Sequence, residues 1–369
     1  IINCTRIGGL EAFEHDINIP LQYGVDQCVG DTICAGGILY GQRNIPQTLN
    51  FCNDIKSYSH ADALFLNYSN PMAMNTWAAI SEAKVNTVGL CHGVQGGAKL
   101  ISKALGSEND TDLEYMCSGI NHMTWYIELK YKGKNVTKDE LVEALENHPE
   151  ISKQEKVRID ILKRFGLFST ESNGHLSEYL PWYRKRVEEI PKWIDLSNWI
   201  HGETGGYLRV TSEKRNWFVE DFSKFLNESG IDLSTHKRST EHGSYIIEAI
   251  ETNRSYRGHF NVVNNGTIKN LPDDCVIEST GMVDKDGIKM IKGIELPMAC
   301  ASLCRTSIDV QRMAVEPFFS SKPSPHHGGL GLSIVNGIVS QNNGIMTLNS
   351  KVGVGTDFHI ALPLYREST

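Results

Sequence analysis

Cys91 and His92 stand side by side at the end of one apolar run, and Asn121-His122 follows another, Leu113 to Ile120. Thr87-Val88-Gly89-Leu90 has the composition of a strand that fills a parallel sheet. Gly93-Val94-Gln95-Gly96 then leads into a helix predicted from about Gln95 to Leu105. Ligands of open α/β sheets sit beyond the carboxyl ends of the strands, so both pairs fall where chemistry is usually done. A thiolate and an imidazole on two strand ends can share a divalent metal of the zinc or manganese kind. A buried free cysteine and a hydrogen-bonded core histidine account for the same letters, and at this level both readings stand.

The elements that must position these residues carry signals of their own. Arg6-Ile7-Gly8-Gly9 follows a strand-like start, and paired glycines let a backbone turn tightly and approach a flat ligand. A second glycine cluster, Gly30 to Ile38, precedes a helix predicted over 45–57 with Pro46 in its first turn. It could cradle a phosphate by pattern, but it lacks the Lys-Ser/Thr of that motif and reads as a loop lining a site. Asn70 is a good N-cap for a helix opening at Pro71, and the same helix end could attract a polar ligand.

Ser169 to Tyr179 is polar and holds a histidine and two carboxylates, which suits a cleft loop or an ordinary surface loop. Trp182, Trp193, Trp199 and Trp217 fit packing better than a sugar platform. Hairpins are expected at Lys132-Gly133 and at Asn264-Asn265-Gly266, the latter joining Phe260–Val263 to Thr267-Ile268. Helices are expected from Glu241-His242 and from Leu296 to Val315.

The totals bound the function. In 369 residues the net charge is −8, and no basic cluster of the kind that tracks phosphate backbones occurs, so nucleic acid is not an expected partner. No apolar run approaches the roughly 20 residues that span a bilayer, and no signal peptide opens the chain. The nine cysteines are scattered with no Cys-x-x-Cys pair, a reduced, cytoplasmic pattern.

Residues 1 to about 315 resemble the family 4 glycoside hydrolases, the NAD- and manganese-dependent group. The motifs are Ile7-Gly8-Gly9, Tyr23-Gly24-Val25 with Gly30-Asp31-Thr32, Asn70 to Trp77, Gly89 to Gly96, Asn121-His122, Asn270-Leu271-Pro272 and Ile308-Asp309-Val310-Gln311. Cys91-His92-Gly93-Val94 is nearest the α-galactosidase pattern, whereas phospho-sugar members carry Asp or Asn after the cysteine. Residues 316–369 resemble the last part of a sensor histidine kinase ATPase domain, through Glu316-Pro317-Phe318-Phe319, Gly329 to Val335 and Gly353-Val354-Gly355-Thr356. That domain's adenine and magnesium motifs are not found, so this tail is not expected to bind ATP alone.

The resemblance implies an α/β fold. A truncated Rossmann-like parallel sheet over 1–125, lacking its dinucleotide fingerprint, would precede an α+β catalytic and oligomerisation domain over 126–315 and a kinase-type fragment over 316–369. It implies an α-galactosidase-like hydrolase of small-molecule α-glycosides, active as a homo-oligomer with NAD and Mn²⁺, away from membranes. Glycosidic cleavage would then proceed by oxidation, elimination and addition rather than between two carboxylates. Cys91 and His122 match the metal ligands, and His92 the general acid. His242 aligns with the proton-abstracting base, commonly a tyrosine. Asn70 and Asn121 would contact the sugar, and Gly8, Gly9 and Asn70 the cofactor. The alternatives are a non-catalytic chimera and, last, an ATP-binding module.

Overall fold

The computed structural model describes residues 1–107, 110–213, 217–227, 237–316, 345–351 and 355–361. They fall into two units, Ile1–Ala314 and Val315–Thr369.

A nine-stranded sheet organises the first unit. Its strands are β1 (Ile2–Asn3), β2 (Phe65–Asn67), β3 (Thr87–Gly89), β4 (Leu113–Ile120), β5 (Met123–Tyr131), β6 (Lys134–Asn135), β7 (Tyr256–Val263), β8 (Val276–Asp284) and β9 (Gly287–Met290). They run in the order β1-β2-β3-β7-β8-β4-β5-β6, with β9 paired to β8. Helices α1 (Gly9–Gln22) and α2 (Ala35–Tyr58) separate β1 from β2, and α3 (Met72–Ser81) separates β2 from β3. Crossovers of that length are what parallel neighbours need, and these three strands are parallel.

Every later pairing in the sheet is antiparallel, so the expected parallel sheet is confined to three strands. The physical reason is the connections: two residues join β4 to β5, β5 to β6 and β8 to β9, which permits only hairpins. The boundary expected at 125/126 falls inside β5, and β7 returns to pair with β3. Residues 1–125 and 126–314 therefore share one sheet and one compact unit.

Two clusters hold the sheet's flanking helices. Phe260 of β7 packs with Leu66, Val88 and Leu90 beneath Ile246 and Ala249 of the helix His242–Thr252. Helix α4 (Gly93–Ala104) buries Val94, Ala98 and Ile101 against Cys117 of β4 and Tyr126 of β5. Helix α2 starts ten residues earlier than its sequence signal suggested, which leaves Pro46 in its interior. Its glycines serve close packing: a Cβ on Gly36 would lie 2.6 Å from the carbonyl oxygens of both Asp16 and Gly30.

The hairpin at Lys132-Gly133 forms as expected. The one at Asn264-Asn265-Gly266 does not, because the Asn264 side chain bonds the backbone of Ile268, Leu271 and Pro272, and β7 pairs with β8 instead. In the second unit β10 (Ile345–Lys351) and β11 (Gly355–Ala361) form an antiparallel hairpin. Residues 317–344, which carry most of the kinase-like reading, lie outside the described residues. No described helix is long and apolar enough to cross a membrane.

Glu278, in the middle of β8, is 2% exposed. Thr124 Oγ1 donates to its Oε2 at 3.1 Å. Burial, helped by the charge of Glu171, pushes its carboxyl up to about 8. The folded chain thus keeps a proton that the unfolded chain releases near the ordinary 4.5, so its contribution to stability is full at low pH and is lost as pH rises to about 8. Below the ordinary histidine value of 6.5 the buried neutral His122 and His242, lowered to about 4, and His259, lowered to about 3, act in the opposite sense. Urea unfolding of the metal-free protein should therefore show stability falling from about pH 6.5 to about pH 8. Glu278→Gln should remove up to about 1.4 kcal/mol per pH unit from that slope. Some slope remains, because His175, raised to about 9, contributes with the same sign. An unchanged slope in the variant would contradict the assignment.

Candidate active site

Cys91 lies two residues past β3, and His92 is the residue before α4. His122 occupies the tight turn between β4 and β5 with φ 61°, in the left-handed region that non-glycine residues rarely adopt. The third participant arrives from a distance. The Tyr126 N–H donates to Phe168 O (3.0 Å) and the Thr170 N–H to Thr124 O (2.9 Å), which lays 168–170 along β5 like a further strand. That pairing delivers Glu171 beside His122. One donor atom each from Cys91, His122 and Glu171 lie within 4.8 Å of one another.

The charges are arranged for a cation. Burial alone would raise the Glu171 carboxyl, but the charge of His175 beside it and the Ser172 N–H hold it below the usual carboxylate range. Burial lowers His122 to about 4 against the pull of Glu171, so its imidazole is neutral, as a metal requires. His175 is also buried, yet Glu171 raises it to about 9. Burial, then Glu278 and Glu171, push the Cys91 thiol well up. A metal must displace that proton, and its affinity will fall as pH falls.

The glycines around Cys91 make room for this corner. A Cβ on Gly93 would stand 2.8 Å from Glu171 Oε2, and one on Gly97 would stand 2.7 Å from Thr170 O and 2.5 Å from the Tyr126 hydroxyl. Tyr126 in turn donates to Val94 O at 2.5 Å. The glycines thus let α4 press against the 168–171 segment.

A cavity of about 440 Å³ opens over the corner. Cys91, His92, Asn70, Asn121 and His122, all singled out in the sequence, line it. His92 is exposed there, with Nδ1 3.5 Å from Glu241 Oε1. The Asn121 side chain is buried beside Cys91 and Glu278. Asn70 is not the helix cap expected of it. The Asn70–Pro71 peptide is cis, α3 begins at Met72, and Asn70 Nδ2 donates to Asp31 Oδ2 at 3.2 Å.

His242, Gly8 and Gly9 are not among the lining residues. Gln95 Nε2 donates to His242 Nε2 at 2.5 Å, and His242 Nδ1 lies 2.7 Å from the Tyr256 hydroxyl. Gly8 precedes α1 with φ +85°, and a Cβ there would stand 2.6 Å from Ala12 Cβ; at Gly9 (φ +59°) the corresponding space is open.

Sequence reasoning missed Glu171, His175 and Asp31 as site residues. The polar stretch Ser169–Tyr179 was in view, but only its pairing with β5 makes it a cleft wall. The second glycine cluster is not a phosphate cradle. The Gly30 N–H at its start, with those of Cys28 and Val29 just before it, already donates to Glu178 Oε1, at 3.2, 2.6 and 3.0 Å respectively. That clamp holds the loop presenting Asp31, whose Oδ2 accepts from Arg6 at 2.8 Å.

A crevice beyond strand ends, with a Cys-His-Glu corner able to hold a metal ion, makes a candidate α/β enzyme site. The sequence matches the family 4 glycosyl hydrolase pattern over residues 1–107 and the family 4 glycosyl hydrolase C-terminal domain over 117–324. The chain belongs to that family. It is 65% identical over 315 residues, 85% of its length, to an alpha-galactosidase of Rhizobium meliloti, and spans 64% of that relative. It is 35% identical to an alpha-galactosidase of Bacillus subtilis, over 87% of this chain and 72% of the relative. A solved 6-phospho-alpha-glucosidase from gut microorganisms, in complex with NAD and Mn²⁺, shares the fold at 19% identity (TM-score 0.67, 93% of this chain and 80% of that one). The C-terminal match runs to residue 324, past the boundary expected at 315. Neither the kinase-like tail nor an absent fingerprint finds support in these comparisons.

Gly93→Ala should displace Glu171 Oε2, the far end of a flexible side chain, with little change in unfolding temperature. Isothermal titration should show Mn²⁺ bound about tenfold more weakly. Unchanged Mn²⁺ affinity would mean Glu171 does not meet the metal.

Proposed function

We propose that the protein is a metal- and NAD-dependent α-galactosidase acting on small neutral α-galactosides. The observation that carries the reading is the Cys91, His122 and Glu171 corner, whose donor atoms lie within 4.8 Å of one another. Thiolate, imidazole and carboxylate together can hold a first-row divalent cation, and a solved 6-phospho-alpha-glucosidase of this fold carries Mn²⁺. Such an ion supplies Lewis acidity to the sugar oxygens it meets, and the nicotinamide supplies a place to put and recover a hydride. The open space and positive φ at Gly9, with Asn70 lining the cavity, fit a flat ligand entering beside α1.

The chain's own residues divide the remaining work. Asn70 and Asn121, both lining the cavity, would orient the sugar. His92, exposed at the cavity mouth, would protonate the departing oxygen, with Glu241 facing its other side. His242 would act as base only by giving up Gln95 or Tyr256; while both contacts hold, it braces the wall behind Cys91.

The charges favour a neutral sugar over a phosphorylated one. Arg158 is the arginine among the described lining residues, and its guanidinium is spent on Glu155 and the Ser169 carbonyl. Two named alpha-galactosidases among the relatives support the same sugar.

Hydrolysis of p-nitrophenyl α-galactoside, with Mn²⁺, NAD⁺ and a thiol reductant, tests the proposal. Cleavage that needs both Mn²⁺ and NAD⁺ is expected, and Cys91→Ser should lose at least about a hundredfold. Absence of cleavage by Mn²⁺-loaded protein, or cleavage indifferent to NAD⁺, would refute it.

A further inference from the structure

Glu171 uses its two oxygens differently. Oε2 lies 3.5 Å from His122 Nε2, on the side of the metal corner. Oε1 accepts from the Ser172 N–H at 3.0 Å and lies 3.5 Å from His175 Nδ1. His175 therefore faces the carboxylate oxygen that His122 does not. Its ring nevertheless reaches the cavity, packed against the His122 ring at a centroid separation of 4.3 Å.

The opposite nitrogen, Nε2, is buried and has no partner in the protein. Leaving a buried polar atom unpaired is costly, and the cost is relieved when a ligand brings the missing bond. The ring is also held in place. Asn173, two residues earlier, accepts from the Val157 N–H at 2.9 Å and donates to His201 O at 2.9 Å. Glu178, three residues later, is the carboxylate clamped by the Cys28–Gly30 loop.

We propose that His175 is a substrate-contacting and positioning residue: its Nδ1 side fixes Glu171, and its Nε2 meets an oxygen of the sugar that sits over the metal corner. This rests on the galactoside reading above. A sugar hydroxyl both donates and accepts, so the contact does not depend on the protonation state of the ring.

The two halves of the claim can be separated by amide replacements. The asparagine amide reaches the Nδ1 position, and the glutamine amide reaches the Nε2 position. Isothermal titration is done first with Mn²⁺, then with methyl α-galactoside and its 2-deoxy and 3-deoxy analogues. The wild-type protein should lose affinity for at least one deoxy analogue. His175→Asn should bind Mn²⁺ within about twofold of wild type, bind the galactoside about tenfold more weakly, and no longer distinguish that analogue. His175→Gln should keep most of the sugar affinity and weaken Mn²⁺ about tenfold.

Galactoside binding by His175→Asn equal to wild type would overturn the contact. Loss of Mn²⁺ by His175→Asn would overturn the division of labour and make His175 a metal ligand or a structural residue. A wild-type protein that takes up Mn²⁺ but binds no galactoside would remove the functional reading and this inference together. Galactoside binding with no deoxy discrimination would remove this inference alone.

Discussion

The site depends on keeping one ionised carboxylate largely out of water. An unpaired buried charge is prohibitively costly, so Glu171 exists only because other groups answer it. His122 and His175 flank it, and the Ser172 N–H caps one oxygen. Its position is bought by backbone pairing of 168–170 with β5, and its clearance by the bare Cα of Gly93. Burial and Glu278 raise the Cys91 thiol, Glu171 adds to that rise and also raises His175 against its burial, so the corner is tuned as a unit rather than residue by residue.

A second carboxylate plays the matching structural part. Glu178 takes three successive N–H groups of the Cys28–Gly30 loop and so anchors the loop that carries Asp31. Asp31 is joined there by Arg6, whose guanidinium lies over the rings of Phe13 and Tyr40. Residues 171–178 thus line the cavity with Glu171 and His175 and anchor the loop that brings Asp31 to it.

Much of this was legible in the sequence, and the failures have a common cause. Cys91, His92 and His122 could be placed because a strand end is a local signal, read from a few apolar residues and the glycine after them. Glu171 and His175 could not, because their membership in the site depends on a pairing between residues some forty positions apart. Glycines were read as turn formers or ligand cradles, whereas Gly36, Gly93 and Gly97 are there because another part of the chain approaches where a Cβ would be. Asn70 illustrates the same limit: its helix-capping signal was sound in isolation, but its side chain is taken by Asp31. The joining of antiparallel strands to the parallel ones in a single sheet was missed because strand partners are chosen by connection length and long-range return, as when β7 comes back to β3.

The central claim is that Cys91, His122 and Glu171 jointly hold a divalent cation. Loading the protein with Co²⁺ and recording its absorption spectrum tests this most directly, since cobalt reports its ligands. The account predicts a near-ultraviolet thiolate-to-cobalt charge-transfer band that Cys91→Ser abolishes, with weaker Co²⁺ binding in His122→Ala and Glu171→Gln. Co²⁺ bound without that band, or a band that survives Cys91→Ser, would contradict it.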